Sequence, residues 1–360
     1  MRVLALTRYG VMGASTRLRF IQYFAALAEE NIQVHWQPLI NDNYLKHKYT
    51  TGRLGWRHLI FVYFKRIRTL VSQRNFDVIW IEKEALPFFP TFIEAILLRR
   101  VPYVLDYDDA IFHNYDKSTS VLVRYFLGKR IDKLMSGAKL VVCGSSYIAQ
   151  RARESGSPRV VELPTVVDID RYPKTSGSYS DCFSRLGTPL RIVWIGSPST
   201  AKCLEVLKKP LSEVAKRVPF IFRVIGAHFS LPGVKTECFP WSQDSEVAKI
   251  SECDLGVMPL FDSPWERGKC GYKLIQYMAC ELPVIASDIG MNAEIVKPGV
   301  NGFLVSSDDE WVVALENLLL DSLLRRKFGE EGRKHVENNY CLQSTTSKLT
   351  RLLFEASEAV

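Results

Sequence analysis

The stretch "RGKCGYKLIQYMACELPVIAS", Arg267–Ser287, decides the architecture of the second half of this 360-residue chain. The run from Lys273 to Cys280 has the apolar spacing of a helix, and "LPVIAS" has the composition of a short buried strand. A glycine-containing loop, a helix and a strand in this order are typical of an α/β domain with a parallel sheet.

The same alternation of apolar strands and helices fills both halves of the chain. Six strand-like runs, from "RVLALT" to "RVVELP", precede Tyr172, and six more, from "LRIVWIG" to "NGFLVSS", follow residue 189. Residues 173–189 are polar, rich in serine and glycine and without a period, which predicts a linker. The pattern therefore predicts two doubly wound domains, residues 1–172 and 190–338, whose strand ends face each other across a cleft.

Two helices of the first domain have recognisable ends. The segment "TRLRFIQYFAALAEE" is predicted to be one helix that Ser15 or Thr16 can cap. The segment "SSYIAQRARESG" is predicted to be a helix that begins after Ser145 and ends before Gly156.

The composition is that of a folded protein, with 47% hydrophobic and 24% charged residues. No apolar run reaches the roughly 18 residues of a membrane-spanning helix, and the N-terminal apolar stretch is too short for a signal peptide. The eight cysteines are scattered, without CxxC pairs or a nearby histidine at ligand spacing, which argues against a metal site or a disulfide framework. We therefore expect a cytoplasmic protein without a bound metal.

One basic segment carries as much positive charge as the net charge of the whole chain, +8. Its apolar residues recur near helical spacing in "WRHLIFVYFKRIRTLV", as in helices that lie on anionic membranes. A core helix with a solvated basic face is the alternative, and nucleic-acid binding is a weaker one because no recognition motif accompanies the charge. The segment, Tyr44–Arg74, contains no Asp or Glu and eight cations: Lys46, Lys48, Arg53, Arg57, Lys65, Arg66, Arg68 and Arg74.

Cations and glycines surround the start of the helix in the opening stretch. Gly268 and Gly271 let the backbone approach a ligand closely, and Arg267, Lys269 and Lys273 lie beside them. Unpaired N–H groups at a helix start attract anions, so this loop is predicted to bind a pyrophosphate. A surface turn with solvated cations is the alternative.

Each half of the chain also opens with a strand that runs into a glycine turn. The first turn contains Gly13 and precedes Arg17, whereas the second contains Gly196 and Ser197 and precedes Lys202. Placed on opposite sides of a cleft, two such helix starts would attract an anion. Either turn alone can be a simple connection between elements.

The order of elements and the segment "GYKLIQYMACELPVIASDIGMNAEIVKPGVNGFLV" resemble the donor-binding domain of retaining glycosyltransferases of family 4. The segments "LVVCGSSYIAQRAR" and "VELPTVVDIDRY" resemble the end of that family's N-terminal domain. The resemblance implies the GT-B fold, with an acceptor-binding and a nucleotide-sugar-binding Rossmann-like domain facing each other. It also implies that residues 339–360 form a helix that crosses back to the N-terminal domain.

The donor site implied by the resemblance departs from the family pattern. In the family one loop glutamate touches the donor sugar and a second, on the helix, holds the ribose, but this chain has Gly268 and Gln276 there. Gln276 can still bond a hydroxyl pair, and Glu266 would take over the sugar contact. Lys202 matches, within one position, the lysine that meets the diphosphate. The implied donor site comprises Gly196, Ser197, Lys202, Arg267, Gly268, Lys269, Cys270, Gly271, Tyr272, Lys273 and Gln276.

Carboxylates cluster where strands of the first half end. The segments "VLDYDDAIFH" and "WIEKEAL" contain Asp106, Asp108, Asp109, His113, Glu82 and Glu84. Clustered carboxylates can orient acceptor hydroxyls, act as a base or bind a metal, and the family usually works without a metal. Helix caps and salt bridges are the alternatives. The predicted catalytic residues are Asp108, Asp109, Glu266 and His113, and the predicted acceptor-side residues are Gly13, Arg17 and Glu84.

The function implied by the resemblance is transfer of a hexosyl unit from a nucleoside-diphosphate sugar to an acceptor hydroxyl, with the anomeric configuration kept and without a cofactor. The basic segment suggests peripheral membrane contact and an acceptor such as a lipid-linked saccharide of a surface polysaccharide or lipopolysaccharide. One alternative is a nucleotide-sugar 2-epimerase of similar fold, although its set of acid and base carboxylates is not located. The other is a non-catalytic protein that binds nucleotide sugar, which the altered loop would permit.

Overall fold

A computed structural model describes residues 1–42, 56–174 and 189–358, with the side chains of residues 56–58 excepted. Most of the predicted linker, residues 173–189, lies outside the described residues. The chain divides into two compact units. The first contains Met1–Thr165, Gly268–Cys270 and Thr345–Val360, and the second contains Val166–Arg267 and Gly271–Ser344.

The first unit is built on a parallel sheet of six strands in the order β2-β1-β3-β4-β5-β6. The strand order reverses at β1, which pairs with β2 on one side and with β3 on the other. Strands β3, β4 and β5 are buried along their whole length, as expected when helices cover both faces of a sheet. The strands are β1 Arg2–Tyr9, β2 Gln33–Ile40, β3 Val78–Glu82, β4 Tyr103–Tyr107, β5 Leu140–Cys143 and β6 Val160–Glu162.

The second unit repeats this plan with a six-stranded parallel sheet in the order β12-β11-β10-β7-β8-β9. Here the order reverses between β7 and β10, which are neighbours. Because every predicted strand is present, the prediction of two doubly wound parallel sheets is confirmed. The strands are β7 Leu190–Ile195, β8 Phe220–Ile225, β9 Lys235–Phe239, β10 Leu255–Met258, β11 Val284–Ser287 and β12 Gly302–Val305.

Helices pack on both sheets around three main buried apolar clusters. Those before residue 166 are α1 Ala14–Arg19, α2 Phe24–Glu29, α3 Trp56–Val71, α4 Thr91–Leu98, α5 His113–Asp116, α6 Val121–Leu127, α7 Arg130–Gly137 and α8 Ser146–Glu154. Those that follow are α9 Lys208–Ala215, α10 Glu246–Ser251, α11 Pro264–Arg267, α12 Tyr272–Ala279, α13 Met291–Ile295, α14 Asp308–Leu320, α15 Ser322–Asn339 and α16 Leu342–Ser357.

The single helix predicted after the first glycine turn is wrong, because the chain forms α1 and α2 with a 3₁₀ turn between them. Phe20 interrupts the helix with φ −124° and ψ −71°. Neither predicted hydroxyl caps α1, whose N-cap is Gly13. The hydroxyls serve the strand ends instead: Thr16 Oγ1 donates to Glu82, and Ser15 Oγ accepts from Lys83.

Two other helix predictions have different outcomes. Helix α8 is confirmed, with Ser145 Oγ accepting from the Ile148 N–H and Gly156 at φ 80° beyond its end. After β7, however, the chain first forms a 3₁₀ helix, Ala201–Leu207, and only then α9. Lys202 therefore lies on the 3₁₀ helix rather than near the start of an α-helix.

The predicted basic helix is present as α3, but not all of its cations face solvent. Arg66 is only 2% exposed. Its Nη2 donates to the carbonyl oxygens of Thr7 and Gln37, both at 2.9 Å. Arg66 therefore satisfies strand-end carbonyls inside the first unit, and counting it with the surface charge was wrong.

No helix in the described part of the chain combines the length and the apolar character needed to cross a membrane.

Candidate active site

The carboxyl ends of β7 and β10 carry the predicted donor loops. Gly196 follows β7, and a Cβ at this position would lie 2.6 Å from the Trp194 ring. After β10 the chain runs through α11 to Gly271, which is the N-cap of α12 and has φ 69°. Glycine adopts this backbone conformation without strain. Because α/β sheets bind ligands where their strand order reverses, the two loops lie at the favoured position of the second sheet.

An ion pair joins these two loops. Lys202 Nζ lies 3.3 Å from Glu266 Oε1, and the two side chains differ sharply in exposure, at 62% and 3%. The flexible, solvated lysine can turn toward a ligand, whereas the buried carboxylate is held in place. The pair thus combines a movable cation with a fixed acceptor of hydrogen bonds.

The other predicted cations of the opening stretch have separate partners. Arg267 Nε and Nη2 donate to the carboxylate of Asp262 at 2.7 and 3.0 Å. Lys273 Nζ lies 4.2 Å from the centroid of the Trp194 ring, within range of a cation–π interaction. Ser197, beside them in the loop after β7, shares a hydrogen bond of 2.8 Å with Ser199.

Gln276, at the predicted ribose position, is buried and bonded to an aromatic pair. Its Nε2 donates to Tyr172 Oη at 3.2 Å. The Tyr272 and Tyr172 hydroxyls are also hydrogen-bonded, and burial raises the pKa of both, so both stay protonated. Sequence reasoning missed Tyr172, because nothing in "DIDRY" marks it as a partner of the distant helix.

Gly268 and Cys270 belong to the first unit, where they pack against strand-end segments. A Cβ on Gly268 would lie 2.4 Å from Ala110 Cβ and 3.0 Å from the Ala110 nitrogen. No side chain fits at this position without movement, so a glutamate here would require the segment around Ala110 to shift. Cys270 lies beside Gly144, in ordinary contact at 3.6 Å from the position of an added Cβ.

Lys83 organises the acidic residues at the ends of β3 and β4. It is a non-glycine residue with φ 66°, an unusual conformation that the surroundings must hold. Its buried Nζ lies 2.9 Å from Asp108 Oδ1, 3.5 Å from Asp109 Oδ2 and 3.0 Å from Ser15 Oγ. Sequence reasoning noted both neighbouring glutamates but missed this lysine, which a cation directly after a buried strand could have signalled.

A second lysine completes the cluster. Lys269 Nζ lies 3.3 Å from Asp109 Oδ1. Burial alone would raise the pKa of Asp109, but Lys269 and Lys83 hold it below its usual range. Burial would likewise lower the pKa of Lys83, and Asp108 and Asp109 raise it instead. Lys83 and Asp109 are therefore both ionised near neutral pH.

The other predicted acceptor-side groups are bound within the first unit. Asp106 is buried against Arg19 Nε at 2.7 Å and Trp80 Nε1 at 3.2 Å. The remaining groups are paired as follows: Glu84 with Arg130 Nε at 3.0 Å and with the Tyr115 hydroxyl, His113 Nδ1 with Asp116 at 2.8 Å, and His113 Nε2 with Tyr147 at 2.9 Å. Among residues 1–42, 56–174 and 189–358, no three His, Cys, Asp or Glu side chains are grouped so that they could hold a metal ion.

The first glycine turn binds a carboxylate of this chain. Asp42 accepts the N–H groups of Val11 and Met12 at 3.0 and 2.9 Å. Arg17 Nη1 donates to the Val11 carbonyl oxygen at 2.8 Å, and Gly13 packs against Tyr9, whose Cβ lies 2.8 Å from the position of an added Cβ. The N–H groups of Val11 and Met12 and the Arg17 guanidinium are therefore hydrogen-bonded to groups of this chain.

Comparisons with known proteins relate part of the second unit to glycosyltransferases. Residues 189–321 match the family model described as Glycosyl transferases group 1. The capsular polysaccharide biosynthesis glycosyltransferase CapM of Staphylococcus aureus is 35% identical over 88 residues, which are 24% of this chain and 23% of that protein. The D-inositol 3-phosphate glycosyltransferase of Salinispora arenicola (strain CNS-205) is 24% identical over 232 residues, 56% of this chain and 50% of that protein. The chain thus spans no more than half of either relative.

Solved structures resemble the whole chain. HepE of Anabaena, crystallised with UDP, has a TM-score of 0.72 at 16% identity, with 98% of this chain and 100% of that chain covered. WaaG, a glycosyltransferase involved in lipopolysaccharide biosynthesis, has a TM-score of 0.65 at 14% identity, with 98% and 99% covered. Likeness at these identities shows the fold, which is GT-B.

Proposed function

We propose that this chain, whose residues 189–321 match the family model described as Glycosyl transferases group 1, moves a hexosyl unit from a nucleoside-diphosphate sugar to a hydroxyl of a saccharide acceptor, with retention at the anomeric carbon. The observation that carries the proposal is the pair of an exposed Lys202 and a buried Glu266 between the ends of β7 and β10.

Lys202 would stabilise the leaving group. Cleavage of the bond to the anomeric carbon builds negative charge on the departing nucleoside diphosphate and positive character on the sugar ring. The lysine side chain is 62% exposed, so it can leave Glu266 and reach the diphosphate. The backbone amides after Gly196 and Gly271 would supply further donors, an electrostatic contribution that needs little reorganisation.

Glu266 would hold the sugar. Once Lys202 turns to the diphosphate, the buried carboxylate loses a cationic partner and can accept hydrogen bonds from sugar hydroxyls. The family position for this contact is Gly268, where a side chain would meet Ala110. A carboxylate two residues earlier, on α11, is consistent with that steric restriction.

Asp109 would orient the acceptor. Its side chain is 27% exposed, compared with 10% for Asp108, so Asp109 is the more accessible carboxylate of the cluster. A general base works best with a pKa near the working pH, whereas two lysines hold the pKa of Asp109 low. Asp109 therefore accepts a hydrogen bond from the acceptor hydroxyl, and His113, bonded through both ring nitrogens, positions Tyr147.

The class of acceptor is proposed from the names of similar proteins, and the location at the membrane is proposed from the basic helix α3. CapM is named for capsular polysaccharide biosynthesis, which supports a saccharide acceptor of a surface polysaccharide. The basic helix α3 is the reason for proposing an acceptor that is lipid-linked at the cytoplasmic face of the membrane. HepE was crystallised with UDP-glucose, which makes UDP-glucose the first donor to test.

The test measures release of nucleoside diphosphate from UDP-glucose and other nucleotide sugars, with and without saccharide acceptors. We expect release that depends on acceptor, and a loss of about a hundredfold in kcat/KM for Lys202→Ala. Lys216→Ala is the matched control, since Lys216 is 66% exposed and paired with Glu213. An altered sugar formed without acceptor would identify an epimerase, and nucleotide-sugar binding without any turnover would identify a non-catalytic protein.

Membrane contact through Tyr44–Arg74 is a separate part of the proposal. Residues 43–55 lie outside the described residues. In α3, Ile60, Phe61 and Phe64 are more than 60% exposed beside exposed Lys65 and Arg68. Sedimentation with anionic vesicles tests it through Lys65→Glu with Arg68→Glu, leaving the buried Arg66 intact. Equal pelleting of wild type and variant would contradict a contact through this helix.

A further inference from the structure

Helix α6 leaves most of its apolar side chains in solvent. None of its residues is buried, and Val121, Leu122, Tyr125 and Phe126 are 67%, 69%, 81% and 72% exposed. A helix of this length has little stability of its own, and only Val123 and Leu127 pack against the core. A soluble surface seldom exposes so many large apolar groups together, so this helix marks an interaction surface.

The exposed groups of α6 continue into a groove shared with α4. The groove has a volume of about 670 Å³, and Phe126 lines it together with Pro90, Phe92 and Ile96. Phe92 and Ile96 are themselves 66% and 55% exposed. Arg99 and Lys133 line the same groove. An apolar cavity and two cations therefore lie side by side.

The charge around this surface has one sign. From Lys117 to Ile131 the chain has four cations and no Asp or Glu. The acidic residue of α4, Glu94, is buried against Arg130. The next carboxylate along the chain, Asp132, is bound by Arg151 Nε at 2.7 Å. Exposed cations therefore border this surface: Arg99 and Lys133 line the groove, and exposed Lys129 follows two residues after the end of α6.

We propose that the face formed by α4, α6 and the groove between them docks on an anionic phospholipid bilayer. The aromatic and aliphatic side chains of α6 enter the boundary between headgroups and acyl chains, and the surrounding cations meet lipid phosphates. Tyr125 suits this boundary because its ring is apolar and its hydroxyl polar. A second copy of this chain would bring the same positive charge against itself, which disfavours self-association.

This surface deepens the proposed function, because it would hold the first unit on the membrane that contains a lipid-linked acceptor. It uses described residues other than those of α3 and of the proposed transfer site. Vesicle binding needs neither donor nor turnover. If the chain binds vesicles but transfers no sugar, only the proposed transferase activity is refuted. If it transfers sugar but does not bind vesicles, only this inference is refuted.

The experiment compares sedimentation of the full chain with vesicles of phosphatidylcholine alone and with added phosphatidylglycerol. We expect binding that increases with anionic lipid, and a partition coefficient about tenfold lower for Leu122→Ser with Phe126→Ser. The matched control is Leu320→Ser with Leu323→Ser, since these leucines of the second unit are 70% and 78% exposed. The control should bind as wild type does.

Charge is tested separately with Lys129→Glu and Lys133→Glu in a chain that also carries Lys65→Glu and Arg68→Glu, where the two further changes should lower binding to anionic vesicles below that of the α3 variant alone. Thermal unfolding of each variant checks that it folds, as surface changes should permit. Equal binding of wild type and the α6 variant would overturn the inference. A second result would also overturn it: wild type forms a concentration-dependent dimer and does not bind vesicles, and the α6 variant is monomeric. The surface would then bind a second copy of the chain.

Discussion

The charged side chains at the strand ends differ between the two units in burial and in pairing. In the first unit Lys83, Asp108 and Asp109 are largely buried and already paired with each other. In the second unit Lys202 is 62% exposed, and only its partner Glu266 is buried. A buried, fully paired cluster resists rearrangement, whereas an exposed lysine can change partner at little cost. We infer that the first site is a fixed template and that the second responds to its ligand.

The largest test of this contrast replaces the buried lysine. Lys83→Met keeps the side-chain length and the unusual backbone conformation. It leaves Asp108 without its lysine partner and leaves Asp109 with Lys269 alone. We expect the free energy of unfolding to fall by about 3 kcal/mol, because breaking a buried ion pair leaves an uncompensated charge. Lys202→Met should cost less than about 1 kcal/mol, since solvent reaches that pair. Urea unfolding measures both, and equal losses would contradict the contrast.

A steric test follows at the loop that joins the first cluster. Gly268→Ala places a methyl group 2.4 Å from Ala110 Cβ and 3.0 Å from the Ala110 nitrogen. We expect a loss of about 2 kcal/mol in unfolding free energy, typical of overpacking. Adding Ala110→Gly should restore part of it, because one of the two close contacts is then removed. If the double variant is no more stable than Gly268→Ala, Ala110 is not the obstacle.

The pH dependence of stability sharpens the contrast further. The pKa of Asp109 is below its usual range in the folded chain, because Lys269 and Lys83 favour the carboxylate. The unfolded chain therefore binds a proton first on acidification. The stabilisation is complete above the unfolded pKa of about 3.9 and is lost as pH falls through the folded pKa.

Asp109→Asn should therefore cost about 1.5 kcal/mol at neutral pH, the range for a hydrogen bond to a charged group. This deficit should shrink as the pH falls from about 4 toward the lower pKa of folded Asp109, because the unfolded wild-type chain gains a proton in this range before the folded chain does. Urea unfolding of both proteins across this range measures the effect. A deficit that stays constant with pH would mean that Asp109 stabilises the chain by packing rather than by charge.

The sequence was sufficient for the architecture and insufficient for the partners. Strands β3 and β11 are predictable because continuous apolar runs between helices have few other arrangements in a parallel sheet. Lys83 could not be placed beside Asp109, nor Gln276 beside Tyr172, because such pairs depend on strand order and on contacts distant in the chain. The interruption at Phe20 was equally hidden, since Ser15 and Thr16 serve strand ends rather than a helix cap.

The smallest expected effect tests whether the second site responds to its ligand. A nucleoside diphosphate must compete with Glu266 for Lys202, so Glu266→Gln should strengthen UDP binding. An ion pair with one exposed partner contributes about 0.5–1 kcal/mol, which corresponds to a Kd lower by roughly threefold. The same variant should slow transfer, because a neutral amide holds sugar hydroxyls less strongly than a carboxylate does. Calorimetric titration with UDP and a transfer assay separate the two effects. If Glu266→Gln weakened UDP binding, Glu266 would be organising the diphosphate site rather than competing with it, and the second site would be as fixed as the first.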